Sequence, residues 1–243
     1  MSDAMGKTFP KDLTARTPRY ACLLYAIILF LPSPLLYAGD AGTTTNYVID
    51  QKNSFVWIYV YRAGFMNVLG HDHLVGTSVL NGRLTYTPPP ELGGSFRLSI
   101  PVDMLAVDDP KQRSLAGERF SGSVPDDARA GTRRNMLSEK VLDAERYSDI
   151  AVAGRWIEGS LTRGTVAVTI GIRDTQRKLT LPVAIEMKND RLVATGTFRL
   201  SQTALGITPL SILGGALKVA DGLDIHYSLT FIPVNTADRS TPQ

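Results

Sequence analysis

Eight consecutive residues, Ser54-Phe55-Val56-Trp57-Ile58-Tyr59-Val60-Tyr61, limit the fold more than any other stretch, because almost all are β-branched or aromatic. Side chains alternate across a strand. Val56, Ile58 and Val60 therefore share one face, and Phe55, Trp57, Tyr59 and Tyr61 share the other. A strand that is apolar on both faces must be covered on both. The interior of a barrel covers the aliphatic face. The aromatic face then requires a helix, a partner chain or a ligand.

The rest of the chain supplies the other staves. Residues 79–87 read as a second strand, ended by Pro88-Pro89-Pro90, since proline cannot donate to a ladder. Together with residues 54–61 they predict a first hairpin, with Asn67-Val68-Leu69-Gly70-His71-Asp72-His73-Leu74 in the join. Residues 95–105, 150–157, 165–172, 178–187, 192–200 and 218–232 alternate in the same way. Turns are expected at Glu158-Gly159, at Asp174-Thr175-Gln176 and at Asn189-Asp190. Residues 108–143 have no period of two and predict two short helices, near 110–120 and 125–142. Pro125 and Asp127 suit a helix start, Ser123 followed by Asp126 resembles a capping signal, and Leu137 and Val141 would share a face. The expected fold is all-β: an extended eight-stranded antiparallel barrel with a short helical excursion between the third and fourth strands. Such a barrel has room inside for its own side chains or for one slender ligand.

The N-terminal segment predicts export. Residues 21–31 (ACLLYAIILFL) are uninterrupted and apolar, basic residues precede them, and Leu36-Tyr37-Ala38 follow before Gly39. That is the plan of a secretory signal, and the run is too short for a comfortable membrane span. The expected organisation is a signal peptide over 1–38 cleaved near Ala38, a flexible lead-in over 39–45, one barrel over 46–233 and a disordered tail over 234–243. An uncleaved membrane anchor is the alternative. Cys22 is the only cysteine, so a cleaved chain has neither disulfides nor thiol chemistry. The formal net charge is +3, and residues 1–38 set Lys7, Lys11, Arg16 and Arg19 against Asp3 and Asp12, so the leader holds two of those three charges. The basic pI of 9.0 therefore gives little support to a nucleic-acid partner.

Several short motifs, in order, resemble the YceI family of lipocalin-like, isoprenoid-binding proteins. They are Tyr47-Val48-Ile49-Asp50 with Asn53-Ser54; Met136-Leu137, Leu142-Asp143 and Tyr147-Ser148-Asp149-Ile150; Leu179-Thr180-Leu181-Pro182-Val183; and Leu205-Gly206-Ile207 with Val219-Ala220-Asp221-Gly222-Leu223. The resemblance spans residues 47–231. Gly70-His71-Asp72-His73 is similar to a motif of one subgroup. Asn53, Arg62 and Ser148 depart from the family pattern, in which two histidines and a proline are usual. The resemblance implies a barrel open at one end that holds an isoprenoid, quinone or polyprenyl tail. It also implies a periplasmic or secreted location and frequent homodimers.

Alternation places Val56, Ile58 and Val60 inside. From later strands it adds Ile150 and Val152, Ile170 and Ile172, Leu181, and Leu223, Ile225 and Leu229. This dry lining could bind an apolar tail, or it could fill the barrel by itself. His71 and His73, two apart in an extended strand, would point the same way. They could share a metal ion, bond a ligand head group, or pin the barrel mouth structurally. His226 is expected on the outer face. Arg129, Arg133 and Arg134 are either a solvated helix face or a site of transient contact with anionic lipid. No catalytic set is legible: there is no Gly-x-Ser-x-Gly, no phosphate-cradling glycine loop and no pair of carboxylates fixed by spacing. A binding protein is expected rather than an enzyme. It requires no cofactor beyond a bound lipid, with a metal at His71 and His73 as the alternative. A partner-binding barrel with a filled core is the other.

Overall fold

Alternating apolar runs build one antiparallel sheet, and eight of its strands close into a ring. The computed structural model describes residues 43–89 and 91–234. The expected leader and the tail from residue 235 onward lie outside the described residues. The strands are β1 (Thr45–Ile49), β2 (Phe55–Ala63), β3 (His73–Thr77), β4 (Asn81–Thr87), β5 (Gly93–Pro101) and β6 (Ala106–Val107). They continue with β7 (Asp149–Ser160), β8 (Arg163–Ile172), β9 (Thr175–Lys188), β10 (Arg191–Ser201), β11 (Ser211–Ile212) and β12 (Leu217–Pro233). The ring runs β1-β4-β5-β7-β8-β9-β10-β12, and β12 pairs back to β1. β1 and β2 are two parts of one stave. Both pair with β12, and a single turn at Gln51–Asn53 separates them.

The expected first hairpin is not formed. The return strand of β2 is β3, which pairs Val60 with His73 and Val56 with Thr77. β4 instead lies between β1 and β5. Strands next to each other in sequence usually pair, but here the short β3 intervenes. His73 therefore opens a strand, while His71 stays outside it. Two expected turns also move. Glu158 and Gly159 lie within β7, where the register shifts after Trp156 and Gly159 takes φ +99°. The β8–β9 turn is Arg173-Asp174, and Arg173 takes φ +53°. Asn189 and Asp190, with φ +49° and +61°, form the tight β9–β10 turn. Positive φ at both central positions matches the right-handed twist of the flanking strands.

The excursion lies between the strands that reach Pro101 and start at Asp149. It holds helices α1 (Pro110–Leu115) and α2 (Asp126–Leu137) and a single turn at Glu118–Phe120. Asp109 caps α1 by accepting from the Gln112 N–H at 2.9 Å, with Pro110 in the first turn. Pro125 precedes α2, but no side chain caps it, so the Ser123 signal goes unused. α2 ends at Leu137, before Val141, so those two residues do not share a helix face.

This excursion covers the Tyr59 and Tyr61 part of the aromatic face of β2. The Phe120 ring meets Tyr59 edge-on at 5.1 Å, and the Arg119 guanidinium lies 4.6 Å over Tyr61. Phe120, Tyr59 and Leu74 form a small buried cluster of their own. The main core is inside the barrel. Its end beneath the excursion is packed solid by Val102, Leu105, Val107 and Leu142 together with Leu205 and Ile207.

Candidate functional site

Above that packed end the interior is hollow. A cavity of about 150 Å³ lies in the barrel, and almost all of its lining is apolar. The eleven residues assigned inward by alternation all pack in the interior. They divide into two groups. Val56, Val152, Ile170, Leu181, Ile225 and Leu229 line the cavity. Ile58, Val60, Ile150, Ile172 and Leu223 belong to the core but not to the lining, and they help to seal the end under the excursion.

Aromatic residues shape the cavity as much as aliphatic ones. Phe96, Trp156 and Tyr227 line it, and each lies over an interior glycine. A Cβ on Gly154 would come within 2.4 Å of Phe96, one on Gly164 within 1.9 Å of Trp156, and one on Gly196 within 2.5 Å of the Tyr227 Oη. The glycines therefore give the rings space against the wall. Burial pushes the Tyr227 phenol up to about 12, so it is neutral at any physiological pH. These aromatics were absent from the aliphatic assignment. The same alternation contains them, since Trp156 follows Val152, and Tyr227 sits between Ile225 and Leu229.

The histidine pair lies elsewhere. Neither His71 nor His73 borders the cavity. His73 Nδ1 is 2.6 Å from Asp108 Oδ2, and the Asp108 side chain has no solvent exposure. Asp108 also accepts from the Leu74 N–H at 2.9 Å and from Arg113 at 2.6 Å. Arg113 donates in turn to the carbonyls of Asp72 and Gly122. Asp72, 3% exposed, accepts from Arg119 at 2.6 Å and from the Arg62 N–H at 2.8 Å. Burial works to raise the Asp108 carboxyl. The bonds from His73, the Leu74 N–H and Arg113 outweigh it and hold the carboxyl below the usual range. Burial likewise opposes ionisation of Asp72, and Arg119 with the Arg62 N–H outweighs it.

This network clamps β3 to the excursion. It engages His73 of the pair, at the packed end rather than at the barrel mouth. The rings of His71 and His73 are 6.5 Å apart and tilted by 54°. Among the described residues, no group of three or more His, Cys, Asp or Glu side chains is arranged to hold a metal ion. His226 faces outward and lies 4.5 Å from the Tyr59 ring. Arg129 pairs with Asp126 and reaches the Asp108 carbonyl, and Arg133 donates to the Asp103 carbonyl at 2.6 Å.

A family model and one solved structure agree with this architecture. A family model described as YceI-like domain matches residues 47–231. No curated protein matches the chain. The crystal structure of Burkholderia cenocepacia BcnA superposes with a TM-score of 0.55 at 13% identity, covering 75% of this chain and 98% of that one. A Campylobacter jejuni YCEI protein gives a TM-score of 0.41 at 9% identity, covering 58% of this chain and 72% of that one.

Proposed function

The chain belongs to the YceI-like family, and from that membership we propose that it binds the apolar chain of an isoprenoid or similar lipid inside its barrel, for carriage or sequestration after export. The observation that carries the proposal is the hollow, almost wholly apolar interior. Burying apolar surface there contributes roughly 25 cal/mol per Å², so a tail needs no polar contact to be held. The volume limits the guest. A dry cavity of about 150 Å³ is the size that accepts one benzene. A longer chain must be slender, and it must extend out of the cavity or displace the rings that rest over Gly154, Gly164 and Gly196. The glycines let these rings lie close against the wall.

The reading is of a binding protein. The His73–Asp108 pair is committed to Arg113 and to the β3 backbone, away from the cavity. The leader-like residues 21–31 support export to the periplasm or beyond the cell.

Organic extraction of the purified protein followed by mass spectrometry tests the function. One long-chain apolar molecule per barrel is expected. Recovery of no stoichiometric lipid, together with no uptake of an added decyl-substituted benzoquinone, would overturn it.

A further inference from the structure

The barrel wall lacks a ladder along one seam. β9 and β10 pair only from Arg191 and Lys188 to Thr195 and Ala184. Yet β9 begins at Thr175 and β10 continues to Ser201. β8 holds the other side of β9 down to Thr175, and β12 holds the other side of β10 down to Ser201. Residues 175–183 and 196–201 therefore face one another without a ladder. Pro182, two residues beyond the last pair, has no N–H to extend it. Full closure is how a barrel removes exposed edges, so an unpaired stretch inside a closed ring calls for a use. The seam is bounded at its far end, where Gly206 closes on Thr175. It is a window rather than a slit.

Two spaces lie on either side of this unpaired stretch. On its inner side Leu181 and Phe198 line the cavity. On its outer side a groove runs across the sheet from the β7–β8 turn to Phe55 and Trp57. Val183 and Tyr227 border both the cavity and the groove. Tyr227 stands at the junction, with its hydroxyl over the bare backbone of Gly196. The outer groove differs from the cavity in chemistry. Phe55 and Trp57 stack at 4.6 Å, and Trp57, His226 and Thr197 form one cross-strand row. Aromatic faces beside hydroxyl and imidazole groups suit a ring that carries oxygen substituents.

We propose that the window between β9 and β10 is a side entrance to the cavity, latched by Tyr227 over Gly196. Through it a ring-headed amphiphile rests its head against Trp57 and His226 while its tail lies inside. The proposal rests on the apolar-ligand reading and adds where the ligand enters and which end stays out.

The chain has two tryptophans, one on each side of the wall: Trp57 in the groove and Trp156 in the cavity. The probe is the decyl-substituted benzoquinone, whose ring quenches indole fluorescence at short range. Loading is measured by extraction, and Trp57 emission is read in a Trp156→Phe variant. Loading should quench Trp57. In a Cys22→Ser background, a bulky thiosulfonate label on Thr197→Cys should slow uptake about tenfold, and reduction of the label should restore the rate. The same label on Lys188→Cys, at the barrel end, should not. Tyr227→Ala should speed both uptake and release. If loading proceeds while Trp57 stays bright and the Thr197 label has no effect, the side entrance is wrong and the cavity reading stands. If the Lys188 label alone blocks uptake, the ligand enters at the barrel end. If nothing loads in the protein with Trp156 intact, both readings fall.

Discussion

Asp108 and His73, 35 positions apart in sequence, meet at 2.6 Å at the point where the helical excursion joins the barrel. Asp108 takes φ +52°, a left-handed conformation that aspartate tolerates better than most residues. That turn carries the chain from β6 into α1. It also directs the carboxylate at three donors from three separate positions in the chain. The clamp they form sets β3 against the excursion, which covers Tyr59 and Tyr61.

Asp108→Ala should therefore be among the most damaging single changes in the described chain. It strands the guanidinium of Arg113, whose side chain is 7% exposed, with no counter-charge. Removing one partner of a buried pair costs about 3–5 kcal/mol. His73→Ala leaves the Arg113–Asp108 pair intact and should cost less. Urea unfolding of the two variants beside wild type checks the order.

Acid should weaken the same clamp. Asp108 and Asp72 both titrate below the usual carboxylate range in the folded protein. A lowered folded value means that the stabilisation is fully present above the unfolded value of about 3.9 and is lost as pH falls through the folded one. The urea midpoint should hold steady from neutral pH down to about 4 and then drop. Asp108→Asn should start lower at neutral pH and show a shallower acid limb. An identical acid limb in the two proteins would place the titration on other groups.

The barrel was legible because its interior and exterior impose a period of two over long strands. β8, β9, β10 and β12 are each ten residues or longer, and β7 keeps the period up to the register shift after Trp156. β3 escaped because it is five residues long, His-Leu-Val-Gly-Thr, with a glycine inside it. Its glycine reads as a break, whereas in the fold Gly76 lies under Gln112 and Trp57. The clamp escaped for a different reason. Asp72, Asp108, Arg113 and Arg119 look in sequence like ordinary surface charges, and only the fold buries two carboxylates among them. The glycines beneath Phe96, Trp156 and Tyr227 were equally silent. Glycine in a strand marks a close approach without saying to what.

Those glycines give a packing prediction. Gly154→Val places a side chain where the Phe96 ring lies, 2.4 Å from the position of a Cβ. Overpacking of this kind costs about 1–3 kcal/mol. Adding Phe96→Ala to the same chain should return part of that loss, because the valine then occupies vacated space. A double-mutant cycle by thermal or urea unfolding should show strong non-additivity, as expected for side chains in contact. Additive costs would mean that the ring and the glycine do not constrain each other.

Filling the cavity separates ligand binding from stability. Ala194 lines the hollow from β10, within the stretch where β9 and β10 remain paired. Ala194→Phe adds one ring to a space of about 150 Å³, the volume that accommodates a benzene. The new ring meets apolar neighbours on all sides and leaves every polar group outside. Stability should stay within about 1 kcal/mol of wild type, at the low end of the overpacking range or below it. Loading of the decyl-substituted benzoquinone should fall at least about tenfold, equivalent to about 1.4 kcal/mol of lost affinity. Val68→Phe is the control, because Val68 is 77% exposed at the opposite end of the molecule. It should change neither quantity. Equal loading by wild type and Ala194→Phe would show that the tail does not occupy this hollow, whatever the protein carries.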